Sequence, residues 1–229
     1  MVSVECRSTV GRLSKATPST RSLNKPRQAR DSEATKAQIL NAAEEEFARH
    51  GLSGARMDAI AAGTGVTKAM IYYYFENKEG LYQAVLQRPA HELLDALKQL
   101  PLDELAPEQA LEMLVKGAIA HEVAHPYQQM ILFQEASQNR GKYFAQADWQ
   151  APFAYLLKIL ERGMVDGTFR AVDPWLTAIN IAGVCNFYFT TYDNVKHIAP
   201  DWDFRNPAMV ERHTQEAIAF ILAAVKQQK

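Results

Sequence analysis

Two apolar segments too short to stand alone, 57–63 and 68–75, are separated by four residues, Thr64-Gly65-Val66-Thr67. Isolated helices of this length do not persist in water. Each must pack on the other and on a third helix, and the glycine-containing turn between them fixes their angle. Thr67 is placed to cap the second segment, and Asn77, with Glu79 behind it, to start the next helix. Ile60, Ala61, Val66 and Ile71 supply an apolar centre. The leading turn of the second segment, Thr67-Lys68-Ala69-Met70, is then left to face outward.

A short helix presented this way fits the major groove, with its N-terminal side chains toward the base edges. Thr67, Lys68, Ala69 and Met70 occupy that turn, and Ala69 is small enough to touch a thymine methyl group. Tyr72 and Tyr73, one turn on, place phenol hydroxyls near phosphates. Tyr74 and Phe75 are read as core, because alternate faces of the helix must pack inward, and Tyr72 and Tyr73 as surface, because four consecutive aromatics cannot all face one core. Lys78 and Arg56 each stand at the start of a helix, where side-chain charge and free N–H groups together suit a phosphate.

The charge distribution agrees. Residues 1–88 hold thirteen Lys/Arg against nine Asp/Glu, whereas residues 89–229 hold twelve against seventeen. A basic front on an acidic body fits a chain that meets a polyanion at one end. Residues 1–30, rich in Ser, Thr, Pro and basic side chains, carry no apolar stripe and read as a disordered basic arm, with two roles open to it: lying in an adjacent minor groove, or remaining a solvated tail or over-long start. Helical signals begin at Asp31–Ser32, with Ile39, Leu40, Ala43 and Phe47 at helical spacing and Gly51 as the stop.

Beyond residue 78 the pattern predicts helices over 78–100 (kinked or broken at Pro89), 107–125, 126–139, 143–164, 174–194 and 207–229. No alternating strand and no repeat is found. The fold class is all-α: a three-helix head over 31–77 and a larger helical bundle over 78–229. The last two helices are apolar on more than one face, which a second copy of the chain would cover. Polar interruptions at Thr177, Asn180, Asn186 and Thr190 argue against a membrane span. Two distant cysteines and no secretory pattern predict a reducing, cytoplasmic setting.

The run from Gly51-Leu52 through Met57-Asp58-Ala59-Ile60-Ala61 and Thr64-Gly65-Val66-Thr67-Lys68-Ala69-Met70-Ile71-Tyr72-Tyr73-Tyr74-Phe75-Glu76-Asn77-Lys78 to Leu81-Tyr82 resembles the N-terminal domain of TetR-family regulators. The resemblance implies a homodimer, a palindromic operator in double-stranded DNA, repression, and release by a small molecule held in the C-terminal domain. One departure is Ala55, where the family commonly has a Thr capping the second helix. A lost cap costs on the order of 1 kcal/mol.

Candidate ligand-binding residues are Phe133, Glu135, Trp149, Tyr155, Asn186, Tyr188 and Tyr192, each of which also suits core or dimer packing. His121-Glu122-Val123-Ala124-His125 has the form of the zinc-peptidase signature. Pro126 follows directly and pulls His125 away from helical geometry, and Gln128 and Ile131 replace the Gly and His of the longer motif. No enzyme activity, metal or cofactor is therefore expected. The alternatives are a zinc-dependent peptidase built on His121, Glu122 and His125, and a DNA-binding regulator with no ligand.

Overall fold

The computed structural model describes residues 25–227. Ten α-helices and one 3-10 turn are found among them, and no strand beyond an isolated antiparallel bridge between Phe169 and Lys226. The helices are α1 (Lys25–Gly54), α2 (Met57–Thr64), α3 (Lys68–Phe75), α4 (Lys78–Lys98), α5 (Pro107–Ala124), α6 (Gln128–Gln138), α7 (Gln150–Val165), α8 (Pro174–Thr190), α9 (Tyr192–Val195) and α10 (Pro207–Val225). The 3-10 turn covers Phe144–Gln146.

Four boundaries depart from expectation. α1 starts at Lys25, not at Asp31–Ser32, with Pro26 in its first turn, where a missing N–H costs nothing. Asp31 is thus inside the helix, and its carbonyl accepts from Thr35 Oγ1 at 2.7 Å. The first 24 residues of the expected arm lie outside the described residues. Pro89 does not break α4, which runs through it as one element. The segment expected as one helix over 143–164 divides into the 3-10 turn and α7. Asp148, at φ 50°, sits between them in left-handed geometry that no helix passes. The segment over 174–194 divides at Thr191 into α8 and α9.

Two apolar cores form. The first gathers Ile39, Ala43 and Phe47 of α1, Ile60 of α2, Ile71 of α3 and Leu81, Tyr82, Val85 and Leu86 of α4, with Ile131 of α6 and Ala147. The second gathers α5, α7, α8 and α10 around Val115, Ile119, Leu160, Ile181 and Ile221, and takes Leu97 from the far end of α4. The expected boundary between residues 77 and 78 falls at the head of α4, which supplies side chains to both cores. Gly51 interrupts α1 at φ 65°, and three residues of helix follow it.

Candidate nucleic-acid interface

The turn between α2 and α3 depends on Gly65, which closes α2 at φ 71° and donates its N–H to Ala61 O at 3.0 Å. A side chain would be strained there. Thr67 opens α3, its hydroxyl accepting from Met70 N at 3.2 Å, and Asn77 opens α4, accepting from Gly80 N at 2.7 Å. The carbonyl of Phe75 lies so close to Gly80 that a Cβ there would meet it at 2.3 Å, so the α3–α4 junction admits only glycine without moving backbone.

On α3, Ile71 is fully buried while Thr67, Lys68, Ala69, Met70, Tyr72 and Tyr73 are exposed. Tyr73 is 82% exposed, too open for a core aromatic. Tyr74 and Phe75 are half-buried against the first core. Lys68 Nζ lies 2.9 Å from Asp58 on α2, and that carboxylate holds the ammonium above the usual lysine range. Lys78 Nζ donates to the Ser53 carbonyl at 3.1 Å, fastening the start of α4 to the end of α1. Arg56, not Ala55, is the N-cap of α2, and its side chain makes no cap bond. Ala55 is buried one residue earlier. Glu46 of α1 accepts from Arg56 N at 2.9 Å, satisfying a donor at the helix entrance. Sequence reading missed Glu46 and Asp58, whose roles depend on helices brought together by the fold.

The seven candidate ligand residues do not form one site. Phe133 is 59% exposed on α6. Glu135, 1% exposed, accepts from the N–H groups of Tyr143 and Phe144 at 2.7 and 3.2 Å and from the Asn139 amide at 2.7 Å. It ties α6 to the 3-10 turn. Tyr155 packs against the second core. Tyr188 donates to Phe204 O at 2.5 Å and stacks on His213, and Tyr192 lies under the Arg205 guanidinium. Both border a groove on α8 and α10 with Ile179, Phe187 and Phe220.

Trp149 and Asn186 do meet, in the wall of a cavity of about 200 Å³ enclosed by α4, α5, α6, α7 and α8. His121 and Glu122 are in the same wall. His121 Nε2 donates to Gln128 Oε1 at 2.9 Å, and burial holds this imidazole below the usual histidine range. Glu122 is 6% exposed and accepts from Gln129 Nε2 at 2.6 Å. Burial pushes its carboxyl up to about 7, against the pull of the Gln129 hydrogen bond. Among the described residues, no group of three or more His, Cys, Asp or Glu is placed to hold a metal ion. His125 leaves the helix at φ −124°, ψ 65°, as Pro126 dictates.

A line of charged and aromatic contacts joins this wall to α1. The rings of His121 and His125 are 4.3 Å apart, and His125 Nε2 lies 3.4 Å from Glu92. Glu92 lies 3.9 Å from Arg88, and Arg88 pairs with the buried Glu44 of α1.

The description "Bacterial regulatory proteins, tetR family" matches residues 39–85, and "Tetracyclin repressor-like, C-terminal domain" matches residues 107–221. The HTH-type transcriptional repressor SCO4008 of Streptomyces coelicolor is 41% identical over 150 residues, 63% of this chain and 74% of that protein. The HTH-type transcriptional repressor NicS of Pseudomonas putida is 33% identical over 171 residues, 70% of this chain and 78% of that one. Among solved structures, the hemolysin II transcriptional regulator HlyIIR superposes with a TM-score of 0.63 at 23% identity, covering 86% of this chain and 99% of its own. FadR from Bacillus subtilis, solved with stearoyl-CoA, superposes with a TM-score of 0.66 at 18% identity, covering 82% and 97%. These two likenesses speak to the fold.

Proposed function

The chain belongs to the TetR family of bacterial regulatory proteins, and on that premise we propose that it is a homodimeric, ligand-released repressor that reads its operator with α3. One observation carries the reading: α3 buries Ile71 and turns Thr67, Lys68, Ala69, Met70 and Tyr73 outward behind a glycine turn. Arg56, Tyr72 and Lys78 complete the contact set, on phosphates. Two such helices must stand about 34–36 Å apart to enter successive major grooves. The second copy docks on α8 and α10, where Trp175, Leu176, Ile179, Phe187 and Phe220 are all more than half exposed. Water-facing apolar side chains in such number mark an interface.

Release follows if occupancy of the cavity favours a different spacing of the two heads, to the extent that the ligand prefers that state. α4 lines the cavity with Leu93 and Leu97 and holds the head with Arg88. His121 and His125 serve this path rather than metal binding or peptide hydrolysis, and the chain works in the cytoplasm. No helix among the described residues is long and apolar enough to cross a membrane.

Selection of bound sequences from random duplexes tests the reading and is expected to return a palindrome. If each subunit makes about four phosphate contacts, log affinity falls against log salt with a slope near −7. A slope near zero, or no sequence preference over competitor, overturns it. Lys68→Ala is expected to relax discrimination at the bases under α3, by about 1–3 kcal/mol per contact. Lys78→Ala is expected to weaken all duplexes alike and to lower the salt slope. Competition titrations of operator against scrambled duplex separate the two outcomes.

A further inference from the structure

None of the eighteen residues lining the cavity is Lys or Arg. Its titratable members are His121, Glu122 and Cys185. Burial holds His121 below and pushes the Cys185 thiol up to about 12, so both are neutral at pH 7. Glu122 alone offers the wall a charge, and that charge is negative. Three buried polar atoms on this wall lack a hydrogen-bond partner: Glu122 Oε2, Gln128 Nε2 and Trp149 Nε1. Gln129 and Asn186 are the other polar residues of the wall, and the rest is apolar, including Leu97, Leu114, Phe153 and Ile181. Orphan groups of this kind, gathered at one cavity, are what a ligand with matching groups would satisfy.

We propose that the cavity takes a compact, ring-containing molecule bearing one cationic nitrogen, which pairs with Glu122, and one acceptor for Gln128 Nε2 or Trp149 Nε1. This rests on the regulator reading and names its effector class. Size sets the first limit. A cavity of about 150 Å³ holds a benzene-sized molecule, so 200 Å³ takes one ring with a short arm. Charge sets the second. A carboxylate or phosphate entering here would meet no cation and would face Glu122, and the neutral donors Gln128 Nε2 and Trp149 Nε1 offset only part of the cost of desolvating its charge. An ammonium or protonated heteroaromatic nitrogen instead makes a charge-assisted hydrogen bond in a water-poor setting, the stronger class of such bonds. Glu122 releases to solvent the proton it carries in part at neutral pH, and becomes the counter-ion. His121 and Cys185 stay uncharged, so no other wall group opposes this.

Three probes of one shape test the proposal by calorimetry on the full chain: 2-phenylethylamine, 2-phenylethanol and phenylacetate. The amine is expected to bind about tenfold more tightly than the alcohol, and phenylacetate to give no heat. In Glu122→Gln the amine should fall to the level of the alcohol, with circular dichroism and the unfolding midpoint reporting that the variant is folded. Should that variant fail to fold, proton release by the unaltered chain, read in buffers of different ionisation enthalpy, serves instead: release on amine binding and none with the alcohol supports the proposal. Equal or tighter binding of phenylacetate, an amine preference that survives Glu122→Gln, amine binding without proton release, or no binding of any probe overturns it. Duplex titration of the same preparation keeps the two readings apart. Loss of DNA binding strikes the regulator assignment, whereas DNA binding with a cavity that prefers anions strikes only the effector class.

Discussion

Arg88→Met is expected to remove about 3 kcal/mol of folding stability, the lower end of the cost of breaking a buried ion pair. Arg88 on α4 pairs with Glu44 on α1, donates to Asn41 Oδ1 at 2.6 Å and is 17% exposed at the side chain, against 8% for Glu44. Burial raises the Glu44 carboxyl above its ordinary range even with Arg88 and His125 pulling the other way. Without the guanidinium, Glu44 is a buried acid with no partner, and it recovers only by taking up a proton. The loss in Arg88→Met is therefore largest above neutral pH and shrinks toward pH 5. Replacing both partners, Arg88→Met with Glu44→Leu, is expected to recover most of the loss, since a buried pair exchanged for apolar groups of similar volume is close to neutral. Urea unfolding of the single and double variants at pH 5 and pH 8 measures this. A single variant as stable as the parent at pH 8 would show that the pair contributes nothing.

Glu122 gives the second large effect, of opposite charge logic. Its folded-state value of about 7 lies above the ordinary 4.5, so the buried protonated form is the favoured one. Its contribution is fully present below about pH 4.5 and is lost as pH rises through about 7, by about 3 kcal/mol in all. Glu122→Gln keeps an oxygen for the Gln129 donor and carries no charge to bury. The variant should match the parent near pH 4 and exceed it in stability near pH 9. Unfolding midpoints across that range, compared pairwise, isolate Glu122 from Glu44, which shifts in the same direction but is present in both proteins. Parallel curves with no divergence above neutral pH would contradict the burial of a protonated carboxyl.

The head was legible because its signals are local. Thr67 and Asn77 cap where their side chains reach N–H groups three residues ahead, and Gly65 turns where a left-handed residue is needed. Such bonds depend on neighbours in the chain, which a sequence displays. The start of α1 was missed because Asp31 and Ser32 are good cap residues that the helix simply passes. The cavity was legible only in fragments. Trp149 and Asn186 do line the cavity, whereas Glu135, as polar on paper, spends its carboxylate on the backbone at the 3-10 turn. Nothing in the sequence distinguishes an acid satisfied by its own chain from one that is not. Glu122 did leave a signal. Leu111, Val115 and Ile119 mark the buried stripe of α5, and Glu122 continues it at helical spacing, an acid where an apolar residue is due. The His-Glu-x-x-His pattern drew attention to this residue for a different chemistry.

Because α4 walls both cores, the chain has no clean seam between the head and the bundle. Leu81, Tyr82, Val85 and Leu86 are as much a part of the head as α1 is, while Leu97 on the same rod belongs to the bundle. Recombination between related genes at the loop before Lys78 would leave one parent's head resting on the other's helix, with mismatched side chains along the shared wall. Exchange of parts between such proteins is therefore constrained to junctions inside α4, after Arg88, which pairs with Glu44 of α1, and before Leu93, or to point substitution within each half. A lineage built this way changes the exposed face of α3 or the cavity wall more readily in place than by shuffling whole parts.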